Sequence, residues 1–393
     1  MTPHGPEHRH VDGRIQALVL LASAVTAAVT TGSTLPAHHW WGRIALGAYI
    51  VGALIALSPA RRWWPLFAVL GAGVVPMVVL IVGRSRGWHH VAQSEVDVIE
   101  AAARRLLHHG TPYLDPSAMT RAQRVTHYSY VPYLPPLSIA GLPRAIFGTS
   151  AWTDARVWLG VIDVALWCAV WKRCAPRARH ALALVAASPL VTLPMAVGGH
   201  DVVIVSLLVL GALGVTEALG GAAGLTYLAW PLVLPLVRQP SLRRRRWRAV
   251  ALTAVGALPI LVDPHAAFEN LVLFPLGRTP ARSPADAPSI GHLLARITGG
   301  KVIDLVALAL TVLVIGWLTL VDPPDSMSAA LFRSAIGFTV LIALVPSTRV
   351  GYLLYPVAFW SLAHTLESEA VTPRRATSRS APRSAPPSRR AGR

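Results

Sequence analysis

Apolar residues fill long uninterrupted blocks of this chain, and polar residues collect in the gaps between them. The blocks predict spanning helices at residues 15–34, 43–58, 65–83, 133–147, 152–171, 180–197, 202–219, 222–237, 249–262, 302–321, 329–345 and 351–366. A helix that crosses a bilayer needs about 20 apolar residues, and most blocks approach that length. Two long polar stretches, 84–132 and 263–301, interrupt the series. Residues 1–14 form a short polar N-terminus, and 15–366 read as one transmembrane domain. From 367 to 393 the chain is a tail rich in Arg, Ser, Pro and Ala, a composition that does not support a packed core. The predicted fold class is all-α: a polytopic helical membrane protein with about 10–12 spans.

Inside the first polar stretch the pattern changes period. Val96, Ile99, Ala103, Leu106 and Leu107 recur at helical spacing, which predicts an amphipathic helix lying at the membrane interface. Ser94 stands where an N-cap would, Asp97 follows three residues on as a capping-box acid, and Gly110 supplies the stop.

Composition strengthens the membrane reading. Of the 393 residues 53% are hydrophobic and only 14% charged, with mean hydropathy +0.51. A soluble domain carries about 25% charged residues, so this chain cannot clothe a water-facing surface. The first apolar block follows a short basic region, but Ala22-Ser23-Ala24 lies inside the block, so it reads as a retained span and not a cleaved signal. The two cysteines, Cys168 and Cys174, make neither a disulfide framework nor a zinc spacing.

Charge orients the chain. The net charge is +18, and arginine carries it, the only lysines being Lys172 and Lys301. Basic clusters mark cytoplasmic segments: Arg9 and Arg14, Arg61-Arg62, Lys172 to Arg179, Arg243 to Arg248, and the tail. Parity between these anchors then leaves one non-crossing block in each of two groups. The weakest are 133–147, which opens Pro-rich, and 222–237, which carries Pro231 and Pro235. Broken segments of this kind survive in a membrane where they line protein or a cavity; alternatively one anchor is misplaced and all twelve cross. With these anchors both long loops and the turns at Gly198-Gly199-His200-Asp201 and Pro346-Ser347-Thr348-Arg349 share the outer face. The basic tail fits attraction to anionic lipid. Without interleaved aromatic residues it is not expected to bind nucleic acid.

Each candidate polar residue has a structural and a chemical reading. Asp97 is either a first-turn acid favoured by the helix dipole or a catalytic carboxylate. Tyr128, Tyr130 and Tyr133 are either an interfacial aromatic belt or the mouth of a binding site. Arg349 is either a snorkelling interfacial arginine or a phosphate ligand, and Asp201 either an N-cap or a substrate contact. Asp263-Pro264 reads as a turn initiator. His89-His90, His108-His109 and His127 show no clean metal-ligand spacing, so no metal is expected.

Glu95-Val96-Asp97, then Gly110-Thr111-Pro112-Tyr113, then Tyr128-Ser129-Tyr130-Val131-Pro132-Tyr133-Leu134-Pro135-Pro136-Leu137, together resemble the GT-C glycosyltransferases. More narrowly the set is similar to glycosyltransferase family 87, the polyprenyl-phosphate-mannose-dependent mannosyltransferases of actinobacteria. Ala187-Ser188-Pro189, Gly198-Gly199-His200-Asp201, Ala229-Trp230-Pro231, the Asp263-Pro264 to Pro275-Leu276-Gly277 loop and Arg349-Val350-Gly351-Tyr352 continue the resemblance. One departure is visible. Tyr227 and Leu228 precede Trp230-Pro231 in a region where similar proteins often carry a lysine.

The resemblance implies a multi-pass protein of a bacterial plasma membrane with an extracytoplasmic active site. It implies transfer of a hexose, with mannose expected, from a polyprenyl-phosphate donor to a glycolipid or polysaccharide hydroxyl. A single inverting displacement needs one base, and Asp97 is the residue it assigns, with Glu95 orienting the acceptor or holding a metal. Arg349 and His200 would meet the donor phosphate, and Tyr128, Tyr130, Tyr133, Asp201, His265 and Glu269 would line the substrate site. No cofactor is assigned; a divalent metal is compatible with the resemblance, but no clear ligand set stands for it in the sequence. The readings from other classes are a transporter or flippase of a lipid-linked or small polar substrate, which would use Pro-interrupted helices, and a non-catalytic GT-C homologue.

Overall fold

A computed structural model describes residues 6–115, 125–281, 289–298, 301–345 and 348–371. All regular structure among them is helical. The chain runs α1 (Pro6–Thr30), α2 (Pro36–Leu57), α3 (Trp64–Val69) and α4 (Val75–Ser85), then α5 (Ser94–His109) and the short α6 (Leu142–Phe147). Next come α7 (Ala155–Arg173), α8 (Pro176–Ala187), α9 (Pro189–Val197), α10 (Asp201–Ala212), α11 (Thr216–Leu225) and α12 (Trp230–Val237). The last third holds α13 (Arg246–Ala257), α14 (Pro264–Phe268), α15 (Ile290–Thr298), α16 (Lys301–Val321), α17 (Met327–Leu344) and α18 (Leu354–Val371).

Among the described residues, four segments are long and apolar enough to cross a membrane: Gly13–Thr30, Pro36–Leu57, Arg61–Ser85 and Met327–Leu344. The count reaches six if the bent pairs Pro176–Ala187 with Pro189–Val197 and Arg246–Leu261 with Pro264–Leu273 are each taken as one span. Large apolar side chains such as Leu18, Val29, Leu54, Val250 and Leu261 lie exposed along these helices. A water-soluble protein does not expose so much contiguous apolar surface; lipid is the solvent that accepts it.

Several expected spans are broken, each at an identifiable residue. Block 133–147 becomes a 3-10 segment, Pro135–Gly141, followed by α6, and is too short to cross as a helix. Block 180–197 bends by 52° between α8 and α9, where Pro189 opens the second helix. Block 202–219 ends early because Gly214 takes a left-handed φ of 97° between α10 and α11. Block 222–237 divides at a 3-10 turn, Tyr227–Ala229. Block 249–262 ends in a 116° turn, after which Asp263 caps α14 by accepting from the Ala266 N–H at 2.9 Å. The final helix continues to Val371, beyond the expected start of the tail at 367, and residues 372–393 lie outside the described residues.

The two largest apolar clusters among the described residues hold the bundle. One joins α1–α4 to α8 and α9 through Trp41, Tyr49, Trp64, Leu80 and Val197. In that core the Trp41 indole donates to the Ala72 carbonyl at 2.7 Å, inside a π-helical segment, Leu70–Val74, that wraps past α2. The other core centres on α10, which is buried on nearly all sides and packs on α7, α11, α12 and α18. A helix apolar around its whole circumference belongs in the middle of a bundle. The start of α10, at His200 and Asp201, is buried with it.

Candidate functional site

The first turn of α5 organises the site. Its entry is tied down by the Gln93 N–H, which donates to the Val197 carbonyl at 2.8 Å. Gly198 follows at φ 107°, so close beneath α5 that a Cβ there would stand 2.1 Å from Val96 Cγ2. Only glycine permits both that dihedral and that approach. The predicted capping box is absent: Gln93 occupies the N-cap position without a side-chain cap, and Ser94 is already helical. The predicted stop is present, with Gly110 left-handed at φ 72°.

Residues two apart on a helix face opposite ways, so Glu95 and Asp97 diverge. Glu95 turns inward, is 3% exposed, and pairs through Oε1 with Arg349 Nη1. Arg349 sits just ahead of a 3-10 turn, Val350–Leu353, that leads into α18. On the same inner side His200 packs edge-on against Tyr133, ring centres 4.4 Å apart. Asp201, the first residue of α10, accepts from the Tyr355 hydroxyl at 2.6 Å. Burial lowers the His200 pKa, with Asp201 opposing the shift, so the imidazole is neutral at pH 7. Its Nδ1 is buried with no hydrogen-bond partner. A neutral imidazole meets a phosphate as an N–H donor and not as a cation.

Asp97 turns the other way, toward the surface, and its side chain is 47% exposed. Its Oδ1 is 2.5 Å from Arg84 Nη2. Arg84, at the end of α4, also grips Glu100 with both nitrogens (2.9 and 2.8 Å) and reaches Asp154 Oδ2 at 2.8 Å. Arg144 of α6 adds a contact to Glu100 at 3.0 Å. Asp154 caps α7 and holds the fully buried Arg156 side chain in a two-pronged pair, both distances 2.9 Å. Three guanidiniums thus meet three carboxylates, and the charges balance. Buried ions persist only when paired in this way.

The remaining predicted residues divide. Tyr133 belongs to the inner cluster. Tyr130 is fully buried and stacks on Phe274 at 4.6 Å, which gives it a packing role. Tyr128 is exposed and lies against His127, ring centres 4.1 Å apart. His265 and Glu269 lie away from that cluster, on α14 and the π-helical segment Glu269–Leu273, beside Asp115. Comparison with family models, with curated proteins and with solved structures finds no match to this chain.

Reading by motif missed Arg84, Glu100, Arg144, Asp154, Arg156 and Tyr355. Glu100 did carry a signal, since it falls one position from Ile99 on the apolar face of α5, where an acid needs a partner. Asp154 near the start of the 152–171 block is an N-cap signal. Arg156 gave none, because a cation in the first turn of a helix opposes the dipole.

Proposed function

We propose that this chain is a multi-pass membrane glycosyltransferase of GT-C type, with ten to twelve segments entering the bilayer of a bacterial plasma membrane. It would transfer a hexose, with mannose the expected sugar, from a polyprenyl-phosphate donor to an extracytoplasmic hydroxyl of a glycolipid or polysaccharide, inverting the anomeric configuration. The observation that supports this reading is the splitting of Glu95 and Asp97 by the first turn of α5: one acid is buried against Arg349, and the other is exposed at the surface.

A transferase acting on lipid-linked sugar needs these two environments side by side. The lipid phosphate is the leaving group and requires cationic or N–H donors; Arg349, positioned by Glu95, and the His200 N–H supply them. The acceptor hydroxyl arrives from water and must lose its proton as its oxygen attacks the anomeric carbon; Asp97 is the carboxylate open to that side. Asp201 and Tyr133 complete the wall between the two.

The test is transfer from radiolabelled polyprenyl-phosphate-mannose in membranes carrying the native chain or Asp97→Asn at matched protein levels. A general base contributes typically 10²–10⁴-fold, so transfer falls by about that factor. Equal transfer by both chains removes Asp97 from catalysis. Substrate-dependent flux into liposomes, with no sugar transfer by the native chain, replaces the transferase reading with a transporter.

A further inference from the structure

Asp115, His265 and Glu269 form a cluster apart from Glu95, Arg349 and His200; the resemblance gives His265 and Glu269 only a general place along the substrate site and gives Asp115 none. His265 and Glu269 stand four residues apart along one continuous helical stretch, α14 running directly into the π-helical segment Glu269–Leu273, so both side chains leave the same face. Asp115 comes from the other external loop. One ligand atom from each of the three residues lies within 4.8 Å of the others, and His265 Nδ1 is 3.9 Å from Asp115 Oδ2.

The backbone beneath the cluster is fixed by one side chain. Asn270 is completely buried, and its amide nitrogen donates to the Leu114 carbonyl at 3.2 Å and the Ala266 carbonyl at 2.8 Å. Its Oδ1 accepts from the Val131 N–H at 2.7 Å. Leu114 adjoins Asp115, Ala266 adjoins His265, and Asn270 itself adjoins Glu269. A single amide therefore anchors the backbone beside all three residues, while their side chains keep freedom to adjust to a ligand. The π-helical turn at Glu269 is a rare local geometry that recurs at functional sites.

We propose that Asp115, His265 and Glu269 bind a divalent transition-metal cation, which joins the two external loops. One imidazole with two carboxylates matches the donor preferences of zinc and manganese. Metal–ligand bonds of about 2.0–2.2 Å place opposing donors up to about 4.4 Å apart. The present separations close to that limit by side-chain rotation, and His265, 76% exposed, has room to rotate. Two carboxylates give the cation the charge it neutralises, and the exposed side leaves coordination positions for water or an anionic substrate group. Metal binding also reaches inward: Tyr113, two residues from Asp115, donates to the Tyr133 carbonyl at 3.0 Å, and Tyr133 packs on His200.

The experiment is calorimetric titration of the full-length chain, purified in detergent and stripped with chelator, with Zn²⁺ and separately with Mn²⁺. Native protein takes up one tight equivalent of at least one of the two metals and gains melting temperature on binding. His265→Ala and Glu269→Gln weaken that equivalent at least tenfold and lose the thermal gain, while their metal-free melting temperatures match the native one. His108→Ala, which alters a histidine outside the cluster, keeps the equivalent. The proposal is overturned if the native chain binds neither metal tightly, or if His265→Ala and Glu269→Gln bind as the native chain does. The readout needs no transfer activity, so it stands or falls separately from the transferase reading.

Discussion

Arg84 holds Glu100 with both terminal nitrogens, Nη1 to Oε1 at 2.9 Å and Nη2 to Oε2 at 2.8 Å, and so bolts the end of α4 to the buried face of α5. The same guanidinium touches Asp97 and Asp154. Removing one partner of a buried pair leaves an uncompensated charge and costs about 3–5 kcal/mol. Arg84→Ala is therefore expected to lower the melting temperature in detergent sharply. Arg84→Lys should recover only part of the loss, because an ammonium cannot reproduce the two-pronged geometry. An unchanged melting temperature for Arg84→Ala would show that the network contributes nothing to stability.

Tyr355→Phe tests the inner cluster. The hydroxyl it removes donates to Asp201 Oδ1 at 2.6 Å, and both residues are buried. Leaving that carboxylate short of a donor costs about 1–3 kcal/mol. The expected result is a lower melting temperature that is largely restored when Asp201→Asn is added, since the amide no longer carries a charge. Additive losses in the double variant would mean the two side chains are not coupled.

His200 gives the chain a pH dependence of definite sign. Burial lowers its pKa in the folded protein, so between that value and the ordinary 6.5 the unfolded chain binds the extra proton. The stabilisation is complete above pH 6.5 and is lost as the pH falls below it. Melting temperatures of the native chain and His200→Asn, followed from pH 8 to pH 5, should converge toward acid. Parallel curves would contradict a buried neutral imidazole.

Gly198→Ala places a Cβ at φ 107° and against Val96 Cγ2. Strain plus overpacking costs about 2–4 kcal/mol. Val96→Ala in the same chain should relieve the steric part while leaving the dihedral strain, so the double variant is more stable than Gly198→Ala alone. Limited proteolysis of the loop before α5 provides the second measure, with faster cleavage expected in the single variant.

The hydrophobic pattern alone determined that this is a helical membrane protein, because a bilayer imposes a length and a polarity that can be read one block at a time. It also located the helix after Ser94 and its stop at Gly110, since helix period and left-handed glycine are local properties. The break points were less legible. Pro189 and Pro235 are both visible in the sequence, yet the chain bends at Pro189 and stays helical through Pro235, because the outcome depends on which neighbours accept the freed carbonyls. Glu95-Val96-Asp97 could be recognised as an acidic pair. Only the packing of α5 over Gly198 decided that one acid would be buried against Arg349, 254 positions later in the numbering, and the other turned to the surface beside Arg84. The same holds for Asp115 with His265 and Glu269. Ion pairs and ligand sets between distant positions depend on three-dimensional distance, and no periodicity in one chain encodes that distance.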